Sequence, residues 1–528
     1  MLRLALALSG LAAAVLCQGS PLGSSSASGG SAGNIVDVGY ASYIGNQSFP
    51  NTVAYLGIPY AEPPVGDLRF RAPVALNTSR IAEQAGGQPV NATYYPDFCV
   101  QGTTGQGDHG GAGSEDCLKV NIYAPTGAKE GDNLPVLFYI HGGGYIYGNP
   151  ANWPFDPWIH QSPDVVIVSI YYRLSSFGFF AAPAFVSDPS LGDFNAGFLD
   201  QVQGLRWASQ YISKFGGDPN RITINGQSAG ASSVELHMTA NVGRELVVGA
   251  IAQSVYRTPL PLPDQMGPLF DFYSSYAGCG EGTAATKIAC LRNASISALA
   301  MAQDAAVMGS FNASLYNFFR PVLDGKVFSG DPTAQFQSGN FAHVPLIVGS
   351  TSNETLAGGT NISVALKNYF PELTPEDLAG FREAMGGPAS LYSNAWTYRY
   401  NQPNPTSGSN ATAHAAENWM MFQGINTGYN GTGTFTPQTP VELTFASELI
   451  AYWLSFVRAG NPNTYKLAMS PEWTAYAPAK GDSDALRIVL QQDPQNVTTE
   501  SGSYIEEQPT AEGMRCNFAI SKVQHTQD

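Results

Sequence analysis

Short apolar runs recur along the chain at Leu134–Ile140, Val165–Ile170, Arg221–Ile224, Gly249–Ala252, Val344–Val348 and Leu486–Leu490. They are continuous rather than alternating, as strands covered on both faces should be. Between them lie longer stretches, such as Leu199–Phe215 and Val441–Ala459, that read as helices. Strand alternating with helix predicts an α/β fold with a mostly parallel central sheet flanked by helices, and insertions around a site.

The first residues break this pattern. Arg3 precedes the apolar run Leu4–Leu16, which is too short to span a bilayer and reads as a secretory signal peptide over residues 1–19. Residues 20–33 are rich in Gly and Ser, a flexible leader. No comparable linker or repeat follows, so residues 34–528 are expected to form one domain. No later stretch is a candidate transmembrane segment.

Export changes how the cysteines are read. Cys17 leaves with the signal peptide; Cys99 and Cys117 are near neighbours in sequence, as are Cys279 and Cys290, and Cys516 stands alone. Disulfides are the default in an oxidising compartment, and no spacing suggests a metal site. Asn-X-Ser/Thr sequons begin at Asn46, Asn77, Asn91, Asn293, Asn312, Asn353, Asn361, Asn410, Asn430 and Asn496, a density that fits a secreted glycoprotein. The net charge of −16 repels nucleic acid and anionic membranes, which removes both as partners.

The chemistry is concentrated in two motifs. Gly226-Gln227-Ser228-Ala229-Gly230 is a G-x-S-x-G sequence that follows the strand-like Ile222–Ile224 and precedes the helix-like Ala231–Met238. That context suits a serine held on a strand-to-helix turn with its hydroxyl exposed. Gly29–Gly33 matches the same pattern around Ser31, but it lies in the leader and has neither flank. Gly105–Gly110 matches G-x-G-x-x-G without a strand before it or a helix after it, so no dinucleotide is expected. The second motif, His141-Gly142-Gly143-Gly144, ends the run Leu134–Ile140. Consecutive glycines let backbone N–H groups converge on a developing oxyanion.

With these motifs the chain resembles the type-B carboxylesterase/lipase family of α/β-hydrolases, in its fungal branch. Gly57–Pro64, Leu68–Phe70, Ser114–Leu118 and Phe215–Ile224 are similar to family signatures, and the likeness spans nearly the whole mature chain. It implies Ser228 as nucleophile, the N–H groups of Gly143, Gly144 and Ala229 as oxyanion hole, Glu354 as acid and His414 as base. It also implies disulfides Cys99–Cys117 and Cys279–Cys290, and structural ion pairs Arg69–Glu115 and Arg173–Asp200. The residues agree independently: Ser228, Glu354 and His414 occur in the order of an α/β-hydrolase triad. Of the seven histidines, His141 belongs to the glycine loop and His237 to the helix after the elbow. His109, His160 and His343 lack a matching context, and His525 is in the tail.

The expected activity is therefore hydrolysis of a small-molecule or lipid-like ester without cofactor or metal. Gln227 stands where many relatives carry Glu, and no Trp lies between Cys99 and Cys117, which argues against choline esters. The segment between those cysteines is rich in Gly and poor in large apolar residues, so it lacks the amphipathic helix of an interfacial lid. This favours a broad carboxylesterase, with feruloyl-type esters in range, over a lipase or sterol esterase; stretches within 312–320 or 369–399 are alternative lids. A noncatalytic adhesion protein on the same fold would have lost part of the triad. Asn353 adjoins Glu354 and is expected to be buried and unglycosylated. The natural ester and the oligomeric state stay open at this level.

Overall fold

A computed structural model describes residues 34–103, 112–256, 259–312, 315–354, 362–384, 395–427, 433–476 and 485–528. The signal peptide, the leader with Ser31, His109, and the sequons at Asn361 and Asn430 lie outside the described residues, as does the side chain of Cys516.

The strands in chain order are β1 (Ile35–Asp37), β2 (Ser42–Phe49), β3 (Thr52–Pro59), β4 (Val90–Ala92), β5 (Lys119–Pro125), β6 (Leu134–Ile140), β7 (Val166–Ile170), β8 (Gly217–Gln227), β9 (Gly249–Gln253), β10 (Leu346–Thr351), β11 (Ala395–Tyr400), β12 (Ile425–Thr427), β13 (Gly433–Phe435), β14 (Leu486–Leu490) and β15 (Tyr504–Glu507). The main sheet runs β1-β2-β3-β5-β7-β6-β8-β9-β10-β11-β14-β15, with β4 beside β2; β12 and β13 pair apart. Every neighbour pair from β7 to β14 along that path is parallel. Antiparallel strands are confined to its two ends, where β1, β2, β3 and β5 lead up to β7 and β15 closes on β14.

The continuous apolar runs are explained by two cores. Along β6, Val136, Phe138 and Ile140 face one cluster with Phe198, Val202 and Leu205 of the helix Ala196–Tyr211. The alternate residues Leu137 and Tyr139 face a second cluster with Leu449, Ile450 and Trp453 of the helix Pro440–Ala459. Both faces of a strand must then be apolar, because successive side chains point to opposite sides. The long helix is delimited by its own sequence. Thr439 and Glu442 form a reciprocal capping box at its start, and Gly460 (φ 64°) ends it in the left-handed region.

Two ion pairs anchor loops to this frame. The Arg173 guanidinium grips Asp200 through Nε (2.8 Å) and Nη2 (2.6 Å), with the two side chains 3% and 0% exposed. Arg69 grips Glu115 in the same two-pronged way at 2.7 Å and also donates to the carbonyls of Leu291, Arg292 and Ala294. Cys99–Cys117 and Cys279–Cys290 are disulfide-bonded, as the resemblance implied.

Candidate active site

Strand β8 ends at Gln227, and the helix Ala229–Thr239 starts two residues later. Ser228 between them has φ 58° and ψ −122°, a strained conformation for a residue with a side chain. The turn is tight enough that a Cβ on Gly230 would lie 2.0 Å from the Ile140 carbonyl oxygen, and one on Gly226 would lie 2.3 Å from the Gly230 carbonyl. Only glycine fits at either place, which is why both flank the serine. The Ser228 N–H continues the sheet ladder by donating to Gln253 O (2.9 Å), so the strained residue is fixed from the neighbouring strand.

Two loops bring their residues to this turn. Glu354 lies just beyond β10, and its Oε1 accepts from the Thr351 N–H (3.0 Å). His414 lies ahead of the helix Ala416–Met421. Asn353 ties the two loops together: its N–H donates to Thr412 O (3.0 Å), and its Oδ1 accepts from the Thr412 N–H (2.9 Å). The result is a continuous relay. His414 Nε2 is 2.7 Å from Ser228 Oγ, and His414 Nδ1 is 2.6 Å from Glu354 Oε2. The sequence expectation that Asn353 is buried is corrected: it is exposed. It sits at the rim where β10 has left the sheet, and its partners there are backbone atoms of another loop.

The relay is electrostatically self-consistent. Burial works against the charged form of His414, but the hydrogen bond and charge of Glu354, with Glu417 adding, raise its pKa above the ordinary value. For Glu354 burial pushes upward, and His414, the Ser254 hydroxyl and the Thr351 N–H outweigh it, so its pKa is lowered. Glu417, three residues after His414 and 2% exposed, is raised to about 7 by burial and then by the charge of Glu354. Sequence reasoning gave Glu417 and Ser254 no role. Glu417 was visible in the segment around His414, whereas nothing local marks Ser254.

The glycine loop follows β6 and backs onto the serine: a Cβ on Gly142 would lie 3.0 Å from Ser228 Cβ. Gly143 (φ 114°) and Gly144 (φ 62°) take the turn, with Gly143 O accepting from the N–H groups of Ile146 (2.9 Å) and Tyr147 (3.1 Å). Ala229 is the first residue of the helix after Ser228, where N–H groups have no partner within the helix. His141 is stacked on Trp153 and Tyr172, and burial lowers its pKa to about 4, so it is a neutral strut of the loop. His237 is likewise a packing residue, fully buried beside Gln201. Gln227 points inward, its Oε1 accepting from Asn418 Nδ2 (3.2 Å). Among the described residues no group of His, Cys, Asp and Glu side chains is arranged to hold a metal, and no helix is long and apolar enough to cross a membrane.

Of the expected glycosylation sites, Asn46, Asn77, Asn91, Asn293, Asn312, Asn410 and Asn496 are all exposed. Residues 104–111 of the Cys99–Cys117 segment, which bear on the absence of a lid, lie outside the described residues.

Known proteins are similar to this chain over most of its length. The sequence pattern of the Carboxylesterase family matches residues 34–370. A chlorogenic acid esterase of Aspergillus niger is 33% identical over 80% of this chain and 82% of its own length. Secreted lipase 4 of Gibberella zeae is 29% identical over 84% of this chain and 85% of its own. The crystal structure of Aspergillus niger EstA superposes with a TM-score of 0.78 at 28% identity, covering 94% of this chain and 99% of that one. The fold is that of the α/β-hydrolases, and the chain belongs to the carboxylesterase family, as a carboxylic ester hydrolase of its type-B carboxylesterase/lipase group.

Proposed function

We propose that this chain is a secreted serine carboxylesterase in which Ser228 is the nucleophile, His414 the general base and Glu354 its supporting acid. The observation that carries the reading is the unbroken Ser228–His414–Glu354 relay at 2.7 and 2.6 Å, within the range for proton transfer. Ser228 Oγ attacks the ester carbonyl carbon as its proton passes to His414 Nε2. The tetrahedral oxyanion is met by the N–H groups of Gly143, Gly144 and Ala229. Collapse breaks the carbon–oxygen bond, and His414 returns the proton to the leaving alcohol. Water then attacks the acyl-enzyme by the same route and releases the acid. Glu354 holds the Nδ1 proton and stabilises the imidazolium formed in each step. Residues 34–528 act as one hydrolase domain, exported by the signal peptide and carrying sugars on several of its exposed sequons.

For the ester itself, the Gly-rich Cys99–Cys117 segment, poor in large apolar residues, favours dispersed substrates over an oil surface. The similarity to a chlorogenic acid esterase adds hydroxycinnamoyl esters to the range. A fluorophosphonate probe should label wild type and leave Ser228→Ala unlabelled; labelling of Ser228→Ala would refute the assignment. Specificity constants across feruloyl, short aliphatic and triglyceride esters then test the substrate class. A sharp rate increase when a short-chain triglyceride passes its solubility limit would establish the lipase reading instead.

A further inference from the structure

Backbone N–H donors stabilise an oxyanion only if they are aimed at it before the charge appears. A loop of consecutive glycines has no stiffness of its own, so its aim must come from outside. In this chain the outside support is visible. The far end of the glycine loop is Gly148 (φ 149°), packed so closely under the near end that a Cβ there would lie 2.1 Å from His141 Nδ1 and 2.8 Å from Gly142 O. Any displacement of Gly148 is therefore passed to His141 and Gly142, and Gly142 backs onto Ser228.

Gln101 holds Gly148 by both of its polar groups. Its Oε1 accepts from the Gly148 N–H (2.6 Å), and its Nε2 donates to Gly148 O (3.1 Å) and to Cys99 O (2.6 Å). The next residue repeats the contact, Gly102 N–H donating to Ile146 O (2.7 Å). Gln101 is 0% exposed. It is secured from behind by Gln303, whose Nε2 donates to Gln101 O (3.2 Å) and whose Oε1 accepts from Ser176 N–H (3.1 Å) and Oγ (2.6 Å). Two residues upstream, Cys99 is fixed by its disulfide to Cys117. A buried amide that satisfies both the N–H and the C=O of one glycine residue fixes the two peptide planes on either side of its Cα, and so sets its rotation as well as its position. No single apolar or charged side chain does both.

We infer that Gln101 is a positioning residue for the oxyanion hole: it transmits the rigidity of the Cys99–Cys117 disulfide to the glycine loop and so sets the aim of the Gly143 and Gly144 N–H groups. The inference rests on the serine-esterase reading of the same site. It assigns the base of this disulfide segment a part in turnover that is separate from any part its tip plays in substrate access.

Full-length protein carrying Gln101→Met, which keeps side-chain length and removes both polar groups, is compared with wild type on soluble p-nitrophenyl butyrate and on a trifluoromethyl ketone. The ketone forms a tetrahedral oxyanion on the nucleophile and reports hole quality without turnover. Loss of one oxyanion donor costs ~10²–10³ in kcat, so misaimed donors are expected to cost about 10–100-fold, with KM held within about 3-fold. The ketone inhibition constant should rise by the same factor as kcat/KM falls, because both track the tetrahedral state. Gln303→Ala, which loosens Gln101 from behind, should shift both quantities in the same direction and by less, and it decides the matter if Gln101→Met does not accumulate. Unchanged kcat, a change confined to KM, or a fall in kcat with unchanged ketone affinity would overturn the inference. Ser228→Ala in the same assay separates the two readings. If it stays active the serine assignment fails; if it is inactive while Gln101→Met and Gln303→Ala match wild type, only the positioning role fails.

Discussion

Replacing Glu354 by Gln tests the proposed relay with a change of one atom. In wild type, Oε1 is committed to the Thr351 N–H at 3.0 Å and Oε2 faces His414 Nδ1 at 2.6 Å. A glutamine amide offers one oxygen to these two sites. If the oxygen stays on Thr351, the NH₂ faces Nδ1, which must then accept. The ring proton moves to Nε2 and points at Ser228 Oγ, where no base remains. If the amide flips, the tautomer is right but the NH₂ opposes the Thr351 N–H. That unsatisfied contact costs about 1–3 kcal/mol, and the loss of a charge-assisted bond to the imidazolium costs about 1.5–3 kcal/mol more. At 1.36 kcal/mol per decade the two together lower kcat by about 10²–10⁴. KM should stay within a few-fold, since neither group binds the ester. The assay is kcat and KM for p-nitrophenyl butyrate from pH 5 to 9, with thermal melting to confirm the fold. A Glu354→Gln enzyme within about 10-fold of wild-type kcat at its pH optimum would refute the argument.

The same geometry sets pH behaviour. As the proposed base His414 must be neutral to act, and its pKa is raised, so the acid limb of kcat/KM should have its midpoint above the ordinary histidine value of 6.5; a midpoint below it contradicts the pairing. Stability runs the other way. The raised His414 contributes below its unfolded pKa and loses that contribution as pH rises through its folded one. The lowered Glu354 contributes above its unfolded pKa of about 4.5 and loses it as pH falls through its folded one. The pair is thus most stabilising at mildly acidic pH, below the pH of best turnover. Glu417 has a folded pKa of about 7 against 4.5, so its ionisation destabilises the fold as pH rises through that window; Glu417→Gln should melt higher than wild type at pH 8, by more than at pH 5, and an equal difference at both would sink the assignment. Asp200→Asn or Arg173→Met should each cost about 3–5 kcal/mol by stranding a buried charge, while the double variant Arg173→Met/Asp200→Leu should cost less than either; additive losses in chemical denaturation would refute that account.

What was legible in the sequence was local or periodic. The strands β6, β7 and β9 announce themselves because both faces are buried, β10 and β14 because the greater part of each apolar run is, and Ser228 because its turn demands glycines on either side. The strands at the β1 end of the sheet do not: β2 reads Ser-Tyr-Ile-Gly-Asn-Gln-Ser-Phe, with too little apolar run to signal a strand, and it is held by backbone pairing to its chain neighbours β1 and β3. Gln101 escapes for a different reason. Its chemistry is defined by Gly148, 47 positions away, and no periodicity records such a contact. Asn353 adjoins a site residue and is still exposed, because this site is built at the ends of strands, where the chain surfaces.

The parallel order of the central strands also governs when the molecule becomes active after synthesis. Ser228 and His414 are 186 positions apart and meet only once β9, β10 and β11 have docked in turn beside β8. Contacts of such long sequence separation form slowly, because the intervening chain must be closed before it is rewarded. The hydrogen bonds inside helices such as Ala196–Tyr211 and Pro440–Ala459 are short-range and close faster, although the helices gain their full stability only by packing on the sheet. Refolding from denaturant with the disulfides intact should therefore restore helical dichroism before esterase activity, and simultaneous recovery of the two would refute this order.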